Sequence, residues 1–320
     1  MNDSFFREVN YLRLSLTDDC TLHCPYCRRI GYDTELSRIN SSKLLSVSEI
    51  SRLVRAMSEL GINKIRLTGG EPMLRPDLID IIKVIKAVPG IDEITMTTNA
   101  QAFCGKANEL KAAGLNRVNI SLDSLLKERF KRLTGGDLDL VLSGIDEALT
   151  TGLTPVKINV VLMRGVNDDE FFNFLELAKT RPVDVRFIEL MPISFLDTDS
   201  LRIPTDELIK KCPELFKLEG RSGNQPANEY TAPGFIGRVG FISPMSHRFC
   251  NTCNRIRVTG DGKIRMCLGN NDEIAIPRPI EDGNIDEVKR VIKLAIQKKP
   301  ETHSFLNDFN TNRSMNEIGG

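Results

Sequence analysis

Between Tyr11 and about Met191, short runs rich in β-branched and apolar residues alternate with longer stretches in which apolar residues recur every three to four positions. The short runs predict strands over Tyr11–Leu16, Lys64–Thr68, Glu93–Thr97, Arg117–Ser121, Pro155–Leu162 and Val183–Leu190. The longer stretches predict helices over Val47–Leu60, Pro76–Ala87, Ala107–Ala113, Leu138–Thr151 and Asp168–Thr180. Ser46, with Glu49 three residues on, has the capping-box pattern of a helix start. Strands alternating with helices imply βα units and a parallel sheet. Six such units make an open doubly wound sheet or a partial barrel, and the pattern alone does not separate the two. From 192 to about 235 the chain turns richer in proline, glycine and polar residues, and Gly220-Arg-Ser-Gly-Asn-Gln-Pro-Ala reads as loop. A smaller module follows, centred on a predicted hairpin: Arg255–Thr259, the turn Gly260-Asp261-Gly262, then Lys263–Cys267. The expected division is residues 1–192 and residues 193–320.

Composition narrows the classes. The chain is 41% hydrophobic over 320 residues, enough for a substantial core. It has no apolar run of about eighteen residues, so a membrane span is not expected. Lys+Arg and Asp+Glu both count 43, so no bulk charge recruits nucleic acid and anion recognition must be local. Eight cysteines, with no secretory signal at Met1-Asn-Asp-Ser-Phe-Phe-Arg, point to the reducing cytoplasm, where clustered thiols mean metal or redox chemistry. Cys104 and Cys212 stand apart and read as packing residues.

The other six cysteines form two triplets. Cys20, Cys24 and Cys27 have the spacing C-x3-C-x2-C directly after the first predicted strand. Iron–sulfur cubes normally take four thiolates, so three leave one iron with an open position, the mark of a reactive rather than a closed site. A zinc knuckle completed by His23 or a distant residue is the alternative, but zinc ligands usually pair as C-x2-C and H-x3-H. Cys250, Cys253 and Cys267 form the second triplet. Spacing alone leaves a zinc site completed by His247 or a non-protein fourth ligand equally open there. Arg255 and Arg257 follow Cys253 two apart on a predicted strand and so share a face, a pairing suited to phosphate.

The first triplet, followed by Gly69-Gly70-Glu71-Pro72 after the second strand, resembles the radical S-adenosylmethionine (SAM) enzymes. The stretch Gly240-Phe-Ile-Ser-Pro-Met-Ser-His-Arg-Phe-Cys250-Asn-Thr-Cys253-Asn-Arg-Ile-Arg narrows that resemblance. So do Tyr11-Leu-Arg13-Leu-Ser, Lys64-Ile-Arg66-Leu-Thr-Gly-Gly-Glu-Pro, Arg186-Phe-Ile-Glu-Leu-Met191 and the terminal Gly319-Gly320. Along essentially its whole length the chain is similar to the GTP 3′,8-cyclase family, which opens molybdenum cofactor biosynthesis.

The resemblance implies an α/β fold: a partial (β/α)6 TIM-like barrel of the radical SAM type with a smaller C-terminal α+β module. It implies two [4Fe–4S] clusters and SAM as cofactors. Cys20, Cys24 and Cys27 would hold the SAM-cleaving cluster, source of a 5′-deoxyadenosyl radical, with Tyr26, Gly70, Ser121 and Met191 lining SAM. Cys250, Cys253 and Cys267 would hold a second cluster whose open iron takes the guanine of GTP. Arg13, Arg66, Thr97, Lys157, Arg255, Ile256 and Arg257 would surround GTP, with Lys64 and Arg186 as further candidates and Gly319-Gly320 reaching the active site. Of these, Arg13, Lys64, Arg66, Lys157, Arg186, Gly319 and Gly320 are the expected catalytic set. An electron-donor protein and the next enzyme of the molybdopterin pathway are the implied partners, and a homodimer is compatible. The sequence departs from the family at Asp19, at Arg28-Arg29, at Ala100 where glycine is usual, at Gly269, and in a short segment after Met191; no ligand is lost. Two other readings share the cysteines: a radical SAM enzyme with an auxiliary cluster acting on a peptide, and a zinc-stabilised scaffold.

Overall fold

The computed structural model describes residues 1–27, 44–193, 196–219, 225–307 and 309–320. Arg28-Arg29 and part of the loop from Gly220 lie outside the described residues. Strands β1 (Tyr11–Ser15), β2 (Lys64–Thr68), β3 (Glu93–Thr98), β4 (Arg117–Ser121), β5 (Val156–Val161) and β6 (Val183–Ile188) follow the predicted runs within a residue or two. So do α1 (Val47–Glu59), α2 (Leu78–Lys86), α3 (Ala107–Ala113) and α5 (Leu138–Thr150); α6 (Phe171–Thr180) begins three residues later than expected, after a 3-10 turn over Asp168–Glu170, and α4 (Lys127–Thr134) was not anticipated. At α1 the Ser46 side chain caps the Glu49 main chain and the Glu49 carboxylate returns to the Ser46 N–H. Beyond β6 come α7 (Thr198–Leu201), α8 (Thr205–Lys210), β7 (Phe216–Lys217), β8 (Asn228–Thr231), β9 (Arg238–Ile242), β10 (Arg255–Val258), β11 (Lys263–Arg265), β12 (Glu273–Ala275), α9 (Ile285–Gln297) and α10 (Met315–Ile318).

These strands form one sheet in the order β12-β11-β10-β1-β2-β3-β4-β5-β6-β9-β8-β7. From β10 to β9 all neighbours are parallel, and an antiparallel hairpin extends each edge. The C-terminal part of the chain therefore adds to the barrel sheet on both sides: β10 pairs with β1 and β9 with β6. Bare edges on β1 and β6 would leave main-chain N–H and C=O groups unpaired, and these additions satisfy them.

The strands alternate with period two. Leu12, Leu14, Ile65, Leu67, Met96, Val118, Ile120, Ile158, Val160, Val185, Val239, Phe241, Ile256 and Val258 are buried in one large core that also takes up the apolar faces of α1, α2, α5 and α6. The opposite face carries Arg13, Arg66, Thr97, Asn119, Lys157, Arg186, Arg255 and Arg257. Arg186 on β6 lies within electrostatic reach of Arg66 on β2, four strands away. Flat strands about 4.8 Å apart would separate them much further, so the sheet curls and its polar face lines a channel.

Candidate active site

Register fixes which side chains meet in the channel. Arg13 on β1 sits opposite Arg257 on β10 and Arg66 on β2. Asn119 pairs with Thr97 on one side and Lys157 on the other. Ser121 pairs with Asn159, which pairs with Arg186. Arg66 donates from Nη1 to Thr97 Oγ1 at 3.3 Å and from Nε to the Tyr11 hydroxyl, with its guanidinium over the Tyr11 ring. The Lys157 ammonium is 3.9 Å from Asp184, and the Arg186 guanidinium 3.5 Å from Glu229.

Cations outnumber these partners. Burial, then Arg257 and Arg66, hold Arg13 well below its ordinary value. Burial, then Arg186 and Arg117, bring Lys157 down to about 7. Burial with Arg66 beside it lowers Arg186 to about 10, and burial with Arg255 does the same to Arg257. Although burial acts to raise Tyr11, Arg66 and Arg13 overcome it and draw the phenol to about 8. The buried Nε atoms of Arg13 and Arg186 and the Oδ1 of Asn159 have no hydrogen-bond partner. Buried cations with too few partners are costly, so the channel suits a polyanion that also offers hydrogen-bonding groups.

Not every expected residue lines it. The Ile256 side chain points the other way, into the core, because it alternates with Arg255 and Arg257; only its main chain could meet a ligand. Lys64 is exposed at the first position of β2, on the rim. Arg255 and Arg257 do share a face, but with separate partners: Arg255 Nη2 reaches Cys253 Sγ at 3.5 Å, and Arg257 Nη1 donates to the Gly319 carbonyl at 2.7 Å.

The triplets close opposite ends of the channel. Cys20, Cys24 and Cys27 follow the C-terminal end of β1, where βα loops carry the function of such barrels. Cys253 precedes β10, whose first residue pairs with the first of β1, so the second triplet lies at the N-terminal end. The cations are thus inside the barrel between the triplets, deeper than the mouth position that strand ends alone suggest.

The donor chemistry fits iron–sulfur clusters. Burial, then Asp123, then Cys27 and Cys20 push the Cys24 thiol well up, so these sulfurs crowd one another in a way a metal centre relieves. Burial also raises Cys267, with Cys253 and Cys250 adding to it and Lys299 opposing. Burial resists ionisation of Cys253, yet Arg255 and Lys299 bring it to about 6, toward the thiolate a metal needs. Among the described residues no group of three or more His, Cys, Asp or Glu side chains is arranged to hold a metal ion as it stands.

Around the first triplet, Gly70 is required for packing against the chain itself. A Cβ there would lie 2.1 Å from the Asp19 carbonyl oxygen, while the Gly70 and Glu71 N–H groups donate to Thr17 and Asp19 carbonyls at 2.7 Å. The Gly-Gly turn therefore approaches the cysteine loop and pins it. Glu71, which burial raises to about 7, accepts from Met73 N, Thr98 Oγ1 and Asn99 N. Asn99 reaches Cys20 Sγ at 3.5 Å through Nδ2. The Tyr26 hydroxyl donates to Asp123, whose other oxygen accepts from Val161 N at 2.9 Å. Ala100 adopts φ +61, its N–H held by Thr98 Oγ1 at 3.0 Å.

The C-terminal segment crosses between the triplets. Met315 N donates to the Cys27 carbonyl at 3.0 Å and Asn316 Nδ2 to the Asp18 carbonyl at 2.9 Å. Ile318 packs with Met191, Met245, Met315 and Phe305, and Arg13 donates to the Gly320 carbonyl. Gly319 has φ +76, and a Cβ there would lie 2.5 Å from Thr68 Oγ1, so the terminal glycines are inserted into the channel wall rather than frayed. Glu189 was visible in the sequence but not its role. It is buried past β6 and accepts from Thr205 N, Met245 N and Ser246 N at 3.1, 2.9 and 3.0 Å, tying three loops together. Such a hub joins residues far apart in sequence and has no local signature.

Residues 14–178 match the model of the radical SAM superfamily, and residues 183–305 that of the molybdenum cofactor synthesis C-terminal domain. Curated relatives named GTP 3′,8-cyclase match end to end. That of Alkaliphilus metalliredigens is 44% identical over 328 aligned positions and that of Moorella thermoacetica 41% over 326, each with 100% of both chains covered. Among solved structures, Streptococcus suis SuiB bound to S-adenosylmethionine aligns with TM-score 0.62 at 13% identity, covering 98% of this chain and 72% of that one. That likeness carries the fold alone.

Proposed function

The chain belongs to the GTP 3′,8-cyclase family of radical SAM enzymes, and from that premise we propose which of its residues carry the reaction. The enzyme uses SAM and [4Fe–4S] clusters and acts on GTP in the first step of molybdopterin synthesis. Cys20, Cys24 and Cys27 hold one cluster and Cys250, Cys253 and Cys267 the other. Reduced and bound, a [4Fe–4S] cluster with an open iron supplies the electron that splits SAM.

The protein's own task is to fold one nucleotide so that ribose C3′ meets guanine C8. That compact pose needs the nucleotide fixed at two points. Arg13, Arg66, Lys157, Arg186 and Arg257 grip the triphosphate, and Thr97, bonded to Arg66, sets the level of the sugar. Arg255 and the second triplet fix the base, with Ile256 contributing main chain only and Lys64 acting from the rim. Tyr26, held by Asp123, lines SAM with Gly70, Ser121 and Met191. Gly319 and Gly320 complete the wall through Arg257 and Arg13. The observation that carries this assignment is the buried row of under-partnered cations between two thiol triplets. Residues 1–192 thus supply the SAM site and most of the triphosphate grip, and residues 193–320 the purine site.

The test is anaerobic incubation of the reconstituted protein with SAM, a reductant and GTP. Deoxyadenosine formed only when GTP is present supports the assignment, and none formed with GTP overturns it. Zinc with little iron after anaerobic purification would instead favour the scaffold reading. Among the described residues no helix is long and apolar enough to cross a membrane. We place the enzyme in the cytoplasm, fed by an electron-donor protein and handing its product to the next enzyme of the pathway; a homodimer fits the same reading.

A further inference from the structure

Lys299 lies just past α9 and is only 3% exposed. Its main chain is fixed by a 3.2 Å bond from its N–H to the Ile296 carbonyl. The next residue, Pro300, offers its carbonyl to Arg7 Nη2 at 2.7 Å. The ammonium donates to two atoms: Cys253 Sγ at 3.4 Å and the Met266 carbonyl, immediately before Cys267, at 3.2 Å. Among the described residues no carboxylate pairs with it. An ammonium buried against a neutral thiol and one carbonyl is poorly compensated; against a metal-bound thiolate it is well compensated.

Among the described residues the first triplet shows a different set of neighbours. Cys20 Sγ accepts from Leu22 N at 3.4 Å and Asn99 Nδ2 at 3.5 Å, and the strongest charged influence on Cys24 is the Asp123 carboxyl. Cys253 faces two cations, Lys299 and Arg255, the latter anchored over the Phe249 ring at 5.0 Å. Net charge and hydrogen bonds to sulfur are main determinants of a cluster's potential, and partners of the ligands are as much part of a site as the ligands.

We infer that Lys299 is a positioning residue for the second cluster: it clamps the Cys253 sulfur to the strand end that carries Cys267, and its charge raises the potential of that cluster. This rests on the assignment of Cys250, Cys253 and Cys267 to a cluster. Positive charge beside a sulfur favours the more negative, reduced state, so removing it must lower the potential.

The experiment is a redox titration followed by electron paramagnetic resonance on the full-length, reconstituted protein. Perturbation by GTP marks the second cluster's signal and perturbation by SAM the first's. Lys299→Met and Lys299→Gln are expected to lower the midpoint potential of the second cluster and leave the first unmoved, with Lys299→Arg close to wild type. If Lys299→Met cannot retain the second cluster while Lys299→Arg can, the clamp is supported and Lys299→Gln supplies the potential. A wild-type midpoint in both neutral variants, with iron content intact, overturns the inference. A wild-type protein with roughly four irons instead of roughly eight overturns the cluster assignment itself, which is a separate result.

Discussion

A single buried ammonium shows how charge in the channel becomes measurable. Lys157 is brought to about 7 by burial, Arg186 and Arg117, below the ordinary value of about 10.4. Between those two values the unfolded chain binds more protons, so stability of the ligand-free protein rises with pH across that window. Urea titrations from pH 7 to 10 should show that rise, and Lys157→Met should flatten it. A bound triphosphate returns the proton, so GTP binding at pH 8 should take up protons; calorimetric heats identical in buffers of different ionisation enthalpy would contradict this. Arg257→Ala removes a charged donor worth about 1.5–3 kcal/mol. It should weaken GTP roughly ten- to a hundredfold while SAM cleavage chemistry survives; unchanged GTP affinity would remove Arg257 from the phosphate grip. At this scale the cysteines and arginines stood out as candidates because spacing or residue type marks the chemistry they would carry, and the terminal glycines stood out only through the family resemblance. Lys299 and Glu189 did not, since a lysine or glutamate in sequence carries no mark of what it will face across the fold.

Among elements, the six βα units could be read because each strand has one face in the core and one in the channel, and each helix one apolar stripe. The boundary pattern fails where an element's partner is remote. β9 arises in a stretch rich in glycine and proline, and it becomes a strand because β6 offers an open edge. An unread link of the same kind joins α1 to the far end of the chain. Arg278 donates from Nε and Nη2 to both Glu49 oxygens at 2.9 Å. Burial opposes ionisation of Glu49, but the Arg278 and Ser46 bonds win and hold it at about 2. Its contribution is therefore present above about pH 4.5 and lost as pH falls toward 2. Glu49→Ala should cost about 2–4 kcal/mol at neutral pH, measured by urea unfolding, and less than about 0.5 would mean that solvent screens the pair. Gly319→Val places a side chain where a Cβ already lies 2.5 Å from Thr68 Oγ1. Turnover should collapse while iron content and melting temperature hold; full activity would show that the tail is not part of the wall.

For the whole molecule, the sequence supplied two triplets and the structure supplied their polarity, one at each end of a shared channel. That arrangement came from β10 lying parallel to β1, a pairing no local pattern encodes. It predicts separable sites. Cys253→Ala should leave roughly four irons per chain and SAM binding intact, but no GTP-dependent product; loss of all iron would mean that the two sites fold as one. The same strand pairing matters before the protein is finished. β1 leaves the ribosome about 240 residues before the strand that covers its outer edge, since β1 ends at Ser15 and β10 starts at Arg255. At about 5–20 residues per second, that edge waits on the order of tens of seconds beside β2, bare to any other nascent strand. Crowded synthesis should therefore depend on a chaperone that shields the first hairpin-less edge until the tenth strand arrives.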